Sequence, residues 1–186
     1  MPIALLTAPA SEPVSLAEAK LFLRVDHDED DAIIALLIGA AREAVENGAG
    51  RALITRRVRE SLDIWRRDCV GGALLSLSPV TNIVAVRLIA SNGSESVIDP
   101  ASYRLDGQKD RPRLVFETGL PAILRSAGGV EIDYDAGLAD DAAGLPPALR
   151  QAALHVIAAL YEARQGAAAI PDAARALMRP YAPARL

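Results

Sequence analysis

The stretch Asp30-Asp-Ala-Ile-Ile-Ala-Leu-Leu-Ile-Gly-Ala-Ala-Arg-Glu-Ala-Val-Glu-Asn47 decides how the rest of the chain is read. Ile33, Ile34, Leu37, Ile38, Ala41, Ala44 and Val45 recur at the three-and-four spacing of a helix that buries one face. Acidic residues from Asp28 to Asp31 crowd its first turn, where negative charge meets the positive end of the helix dipole. Gly48 and Gly50 follow its last turn, a usual place for residues that accept positive φ. The spacing predicts a helix over about 30–47 with Leu37 in its buried stripe.

Upstream, residues 1–14 read as an extended arm punctuated by Pro2, Pro9 and Pro13. Ser15-Leu-Ala-Glu18 is a capping box, in which the serine hydroxyl takes a backbone N–H and the glutamate reaches back to the cap. The short helix it opens runs to about Leu23. Downstream, from Leu53, the period changes from helical to alternating. Val58, Glu60, Leu62 and Ile64 fall on one side of a strand, with Arg57, Arg59, Ser61, Asp63 and Trp65 on the other. Short strands are predicted over 74–77, 83–90, 97–98, 103–105, 113–116 and 130–134, with Ser91-Asn-Gly-Ser94 as a hairpin signal. Pro146 and Pro147 open a second long helix over about 147–165. Its stripe is Leu149, Ala152, Ala153, Val156, Ile157 and Leu160. A last short helix begins at Pro171, and residues 179–186 read as an extended tail.

These elements make an α+β chain: long packed helices around a small antiparallel β-rich middle segment, with a short C-terminal helix and tail. One domain is expected over 1–178, its helical body formed by 15–50 and 146–178 and its β-rich segment by 53–137. The 186 residues suffice for one sizeable core. Hydrophobic residues make up 51% and aromatics only 4%, so that core relies on Ala, Leu, Ile and Val.

The net charge of −4 gives no whole-chain signal of nucleic-acid binding. Residues 146–186 nevertheless hold five arginines against two acids, so the remainder is correspondingly more acidic. Cys69 is the sole cysteine, which excludes an intramolecular disulfide and a cysteine-based metal site. The N-terminal residues lack a charged region and a long apolar run, so no signal peptide is expected. No segment approaches the ~18–20 apolar residues of a membrane span. A soluble, intracellularly made protein is expected.

Chemistry-bearing constellations are scarce. The run Asp26-x-Asp28-x-Asp30 superficially suggests a calcium loop, but Asp31 and Leu37 stand where that loop needs Gly and Glu. His27 and His155 are the only histidines and lie far apart in sequence. Cys69 sits near Arg66 and Arg67 without a nucleophile context. Phosphate-loop, dinucleotide and nucleophile-elbow motifs are lacking. No catalytic, cofactor or metal residue is assigned, and an enzyme is not expected.

One further observation spans nearly the whole chain. Pro13-Val-Ser-Leu-Ala-Glu-Ala-Lys20, Leu23-Arg-Val-Asp26, Asp30-Asp-Ala-Ile-Ile34 and Ala40-Ala-Arg-Glu43 resemble the head–tail connector (adaptor) family of long-tailed phages and phage-derived gene transfer agents. The likeness continues through Gly50-Arg-Ala-Leu-Ile54, Trp65, Tyr103-Arg-Leu-Asp106, Asp133-Tyr-Asp-Ala-Gly137, Leu145-Pro-Pro-Ala-Leu149, Leu160-Tyr-Glu-Ala-Arg164 and Leu177-Met-Arg-Pro-Tyr181. The resemblance implies a homo-oligomeric ring, typically twelve-fold, between the portal protein and a tail-side stopper or terminator. It also implies DNA passing through the lumen without sequence-specific binding, a place at the head–tail junction, and no membrane. The family's C-terminal segment docks on the portal; here Arg175, Arg179, Tyr181 and Arg185 would carry that contact. This chain departs from the family in having Ala182 after Pro180-Tyr181, where a basic residue is common.

Two other classes stay open at this point. A DNA-binding packaging factor of small-terminase type would need a basic helix face. A small carboxylate or metal enzyme would need Asp26, Asp133 or Asp135 gathered in a cleft.

Overall fold

The computed structural model describes residues 3–67, 71–106, 111–163 and 169–183. Cys69 and Arg185 lie outside them. The chain divides into two compact units, Met1–Ala8 with Thr55–Gly137, and Pro9–Ile54 with Leu138–Leu186. Each unit is assembled from two separate segments. The chain leaves one unit and returns to it, crossing at Ala8–Pro9, Ile54–Thr55 and Gly137–Leu138.

The helical unit contains α1 (Leu16–Leu23), α2 (Asp31–Ala49), α3 (Pro147–Glu162) and α4 (Asp172–Met178). The capping box is present in full: Glu18 N–H donates to Ser15 Oγ at 3.2 Å, and Ser15 N–H donates to Glu18 Oε2 at 2.9 Å. Gly50 ends α2 at φ 64°, the left-handed conformation that spares a Cβ penalty. Ile34, Ile38, Ala41 and Val45 of α2 pack with Leu149, Ala152, Ala153, Val156 and Ile157 of α3 in one buried cluster. Leu37 is only partly buried, a correction to the expected stripe. The N-terminal part of α2 is apolar on every side, so spacing alone did not locate the centre of its buried face.

Charged groups secure the surroundings of α2. Lys20 Nζ lies 2.7 Å from both Asp28 and Asp31, which accounts for much of the acidic run without a metal. Glu12 accepts from Arg42 Nε at 2.9 Å. Glu46, buried, accepts the Leu53 N–H at 2.9 Å and so holds the segment leaving the helix.

Among the described residues the β unit has eight strands: β1 (Ile3–Thr7), β2 (Arg56–Leu62), β3 (Ala73–Leu74), β4 (Val80–Ile89), β5 (Glu95–Val97), β6 (Tyr103–Asp106), β7 (Arg113–Phe116) and β8 (Val130–Ala136). They form a five-stranded sheet in the order β1-β2-β8-β4-β5 and a three-stranded sheet in the order β3-β7-β6. All pairings are antiparallel. Val58 and Leu62 of β2, Val130, Ile132 and Tyr134 of β8, and Val86 of β4 join Ala73, Leu114 and Phe116 in one core. Two expectations change here. Ile3–Thr7 is an edge strand and not a free arm, and Trp65 is buried with its indole N–H donating to the Pro121 carbonyl at 2.8 Å. Ile64, placed on the inner side by alternation, lies beyond the end of β2 and is exposed.

Glu60 sits inside this core with no solvent exposure. Its carboxylate accepts from Tyr134 Oη at 2.8 Å, Ser76 N–H at 3.0 Å, Ser76 Oγ at 2.5 Å and Arg66 Nη2 at 2.9 Å. The fold has supplied what a buried charge requires, a counter-ion and several donors. Burial, together with the adjacent Glu60 carboxylate, pushes the Tyr134 hydroxyl well above its ordinary pKa.

Candidate functional site

Three surfaces carry the residues that could meet a partner. The first is the C-terminal region. Arg175 on α4 is exposed and pairs with Asp172 at 3.1 Å. Arg179 is exposed one turn later. Residues Arg179–Tyr181 form a 3-10 turn that continues α4, which corrects the extended tail expected from 179 onward. Pro180 fits the first turn of such a helix because it needs no N–H there. Tyr181 is partly buried against the core of its own unit, and its carbonyl accepts from Arg51 Nε at 2.5 Å. A Cβ built on Gly50 would come within 2.9 Å of Pro183, so the chain stays close to the end of α2 that far. Arg175 and Arg179 thus share an outward face, while Tyr181 faces inward.

The second is the open face of the five-stranded sheet, where charges form a ladder. Arg57 donates to both carboxylate oxygens of Asp135 at 2.8 and 3.0 Å, and Arg59 does the same to Asp133 at 2.7 and 2.9 Å. Arg87 adds a bond to Asp133 at 2.7 Å, and Glu131 lies 3.2 Å from Arg59. The hydrogen bond from Arg59 holds the Asp133 carboxyl below its ordinary pKa despite partial burial, and the one from Arg57 does the same for Asp135. The carboxylates proposed for an enzyme are therefore adjacent, but each is held ionised by arginine, the reverse of a group poised to exchange protons near neutrality.

The shared depression of both pKa values has a sign. Protons bind the unfolded carboxylates more readily, so these pairs stabilise the fold above the unfolded aspartate pKa and cease to do so as pH falls through the lower, folded values. Thermal melts of the wild type are expected to lose stability below about pH 4, where unfolded aspartates protonate. An Asp133→Asn, Asp135→Asn variant should show a flatter acid limb in the same series.

The third surface is a groove along the pair α2 and α3. At one end a cleft of about 360 Å³ is lined by Asp30, Ile33, Leu37, Leu160, Tyr161 and Ala163. Further along, a smaller cleft is lined by Ala40 and Ala44 of α2, Val156, Ala159 and Leu160 of α3, and Ala169 and Ile170 ahead of α4. The Tyr161 hydroxyl donates to Asp30, tying the end of α3 to the start of α2. Beside the groove, Ile33 and Leu36 stand 51% and 72% exposed. The outward residues of α2 (Ala32, Ile33, Ala35, Leu36, Ala40, Glu43 and Asn47) include no basic side chain. This is not the basic helix face that a duplex-binding packaging factor would need.

The remaining polar candidates have local partners. His27 lies 2.9 Å from Glu29, and His155 meets the Phe22 ring edge-on with centroids 5.7 Å apart. Among the described residues no group of three or more His, Cys, Asp or Glu side chains is arranged to hold a metal, and no helix is long and apolar enough to cross a membrane. The groove was missed by sequence reading because Ala40, Ala44 and Ala159 look like ordinary core residues in a one-dimensional pattern.

Comparisons with known proteins place the chain among structural components of particles. The family model described as phage gp6-like head-tail connector protein matches residues 13–96. No curated protein matches the chain. Among solved structures, a chain from the "Neck of empty GTA particle computed with C6 symmetry" is 30% identical with TM-score 0.86, the match covering 100% of this chain and 97% of that one. A chain from the "Virion of native gene transfer agent (GTA) particle" is 30% identical over the same shares, with TM-score 0.85. One from the "Neck of native GTA particle computed with C12 symmetry" is likewise 30% identical over those shares, with TM-score 0.79. With the likeness running through both units at this identity, the chain belongs to the gp6-like head-tail connector family.

Proposed function

We propose that this connector assembles as a twelve-fold ring at the neck of a phage or gene-transfer-agent particle, where it joins the portal of the DNA-filled head to the tail-side stopper or terminator. The observation that carries the reading is the full-length likeness to a chain of symmetric particle necks. The molecule's own chemistry is compatible with it. A ring needs side-to-side contacts between two different surfaces of each subunit, and α2 leaves apolar side chains unburied on its outer side. A net charge of −4 suits a lumen through which duplex DNA must slide, because many phosphate contacts would hold it. The role is structural and not enzymatic: the acidic pair on the sheet is locked by arginine and the histidines are occupied locally.

Portal docking is assigned to the exposed face of Arg175 and Arg179, together with Arg185, which lies outside the described residues. Tyr181 orients this face by packing inward. Arginine suits such a contact because its planar, weakly hydrated guanidinium pairs with carboxylates and carbonyls. In a producing cell that lacks this chain, DNA-filled heads without tails are expected by electron microscopy. Wild-type protein supplied in trans should restore tailed particles, whereas Arg175→Glu, Arg179→Glu protein should fold normally and restore fewer than a tenth as many. Normal tailing without the chain overturns the connector role; full rescue by the arginine variant overturns only the docking assignment.

A further inference from the structure

The helical unit presents two apolar surfaces on opposite sides of the layer formed by α2 and α3. On α2, Asp31 and Arg42 face the α1 side through Lys20 and Glu12, while Ile33, Leu37, Ala40 and Ala44 face the groove. At 100° per residue these two sets lie roughly half a turn apart. On α3 the separation is smaller, since His155 and Ala159 stand one turn apart on the same side. Arg150 and His155 meet Glu18 and Phe22 of α1, whereas Val156, Ala159 and Leu160 line the groove. Beyond α1, its outer face carries Ala17 and Leu21 exposed one turn apart, with Leu21 81% exposed. One side of the layer is thus a knob and the other a trough.

We infer that neighbouring subunits join by seating α1 of one copy, through Leu21 and Ala17, in the α2–α3 groove of the next. The inference rests on the ring proposed above and names its contact. Size fits: α1 has eight residues, about 12 Å, and the trough from Ile33 to Ala44 runs about 16 Å at the helical rise. Alanines at positions 40, 44 and 159 let a helix approach closely. Charge fits as well. Arg24 stands exposed at the end of α1, and Glu43 stands exposed on α2 close to Ala40. A knob and a trough on opposite sides form a heterologous pair, which propagates around a ring; two like faces would close as a dimer.

The test uses assembled particles carrying Leu21→Cys and Ala40→Cys together in a Cys69→Ser background. A disulfide forms only when the two Cα atoms approach within about 7 Å. Mild oxidation followed by non-reducing electrophoresis should give a ladder of multimers from the double variant and monomer from either single one. In addition, Arg24→Glu should reduce incorporation into particles at least tenfold, and Glu43→Arg on the same chain should restore it. Particles that show a ring of this chain by electron cryomicroscopy yet give no ladder overturn this contact and leave the ring standing. A dimer from Leu21→Cys alone overturns it too, since like faces would then meet. Particles with no ring of this chain at the neck overturn both.

Discussion

Glu60→Ala is expected to be among the most damaging single substitutions in the β unit, costing on the order of 3–5 kcal/mol. The loss is not that of a favourable surface pair. Truncation leaves the buried Tyr134 hydroxyl and the Ser76 N–H without the carboxylate that satisfied them, and takes from the partly exposed Arg66 guanidinium its counter-ion. A buried donor left without an acceptor costs more than the bond contributes when present. Against a typical domain stability of about 5–15 kcal/mol, the unit would be near unfolding at 37 °C. Glu60→Gln keeps the shape and some acceptor capacity, so its cost should be visibly smaller. Urea melts followed by the fluorescence of Trp65, which belongs to this core, would measure both. Equal and small losses for the two variants would mean that the network does not hold the core together.

In the helical unit the corresponding residue is Ile34, fully buried at the centre of the α2 face. Ile34→Ala removes three carbons from a close-packed site and is expected to cost about 2–5 kcal/mol. Leu37→Ala should cost distinctly less, because Leu37 is only partly buried and lines the groove, where solvent can fill the space. Far-UV circular dichroism of denaturant melts checks the ordering. If Leu37→Ala proves the more harmful, the buried face of α2 has been placed wrongly.

That ordering also shows how far the sequence could be read. The helices were legible because their periods are local: the capping box at Ser15, the paired prolines at 146 and 147 and the glycine at 50 all act within a few residues. Which side of α2 faces inward was less legible, since Ile33, Leu36 and Leu37 are as apolar as Ile34 and Ile38. The excess outside accords with the subunit contact proposed above, because a helix apolar all round is normally covered on all sides. Strand β1 was unreadable for another reason. Ile3-Ala-Leu-Leu-Thr7 shows no alternation, and its pairing partner β2 lies some fifty residues away. Glu60 did leave a signal, an acid in an inward register between Val58 and Leu62. Its partners Ser76 and Tyr134, however, are close to it only in space.

The tail illustrates a different limit. Two prolines in Pro180-Tyr-Ala-Pro183 suggested an arm without structure, yet the first of them fits a 3-10 turn and Tyr181 finds the core of its own unit. The residues proposed for docking, Arg175 and Arg179, are therefore carried on a folded support, which would lower the entropy lost on binding a partner.

Electron cryomicroscopy of particles that contain this chain tests the central claim most directly. The expected result is a closed ring of copies at the head–tail junction, with both units fitting the density and the Arg175–Arg179 face toward the portal. A neck whose density is fully accounted for by other proteins, with this chain absent from purified tailed particles, would contradict it.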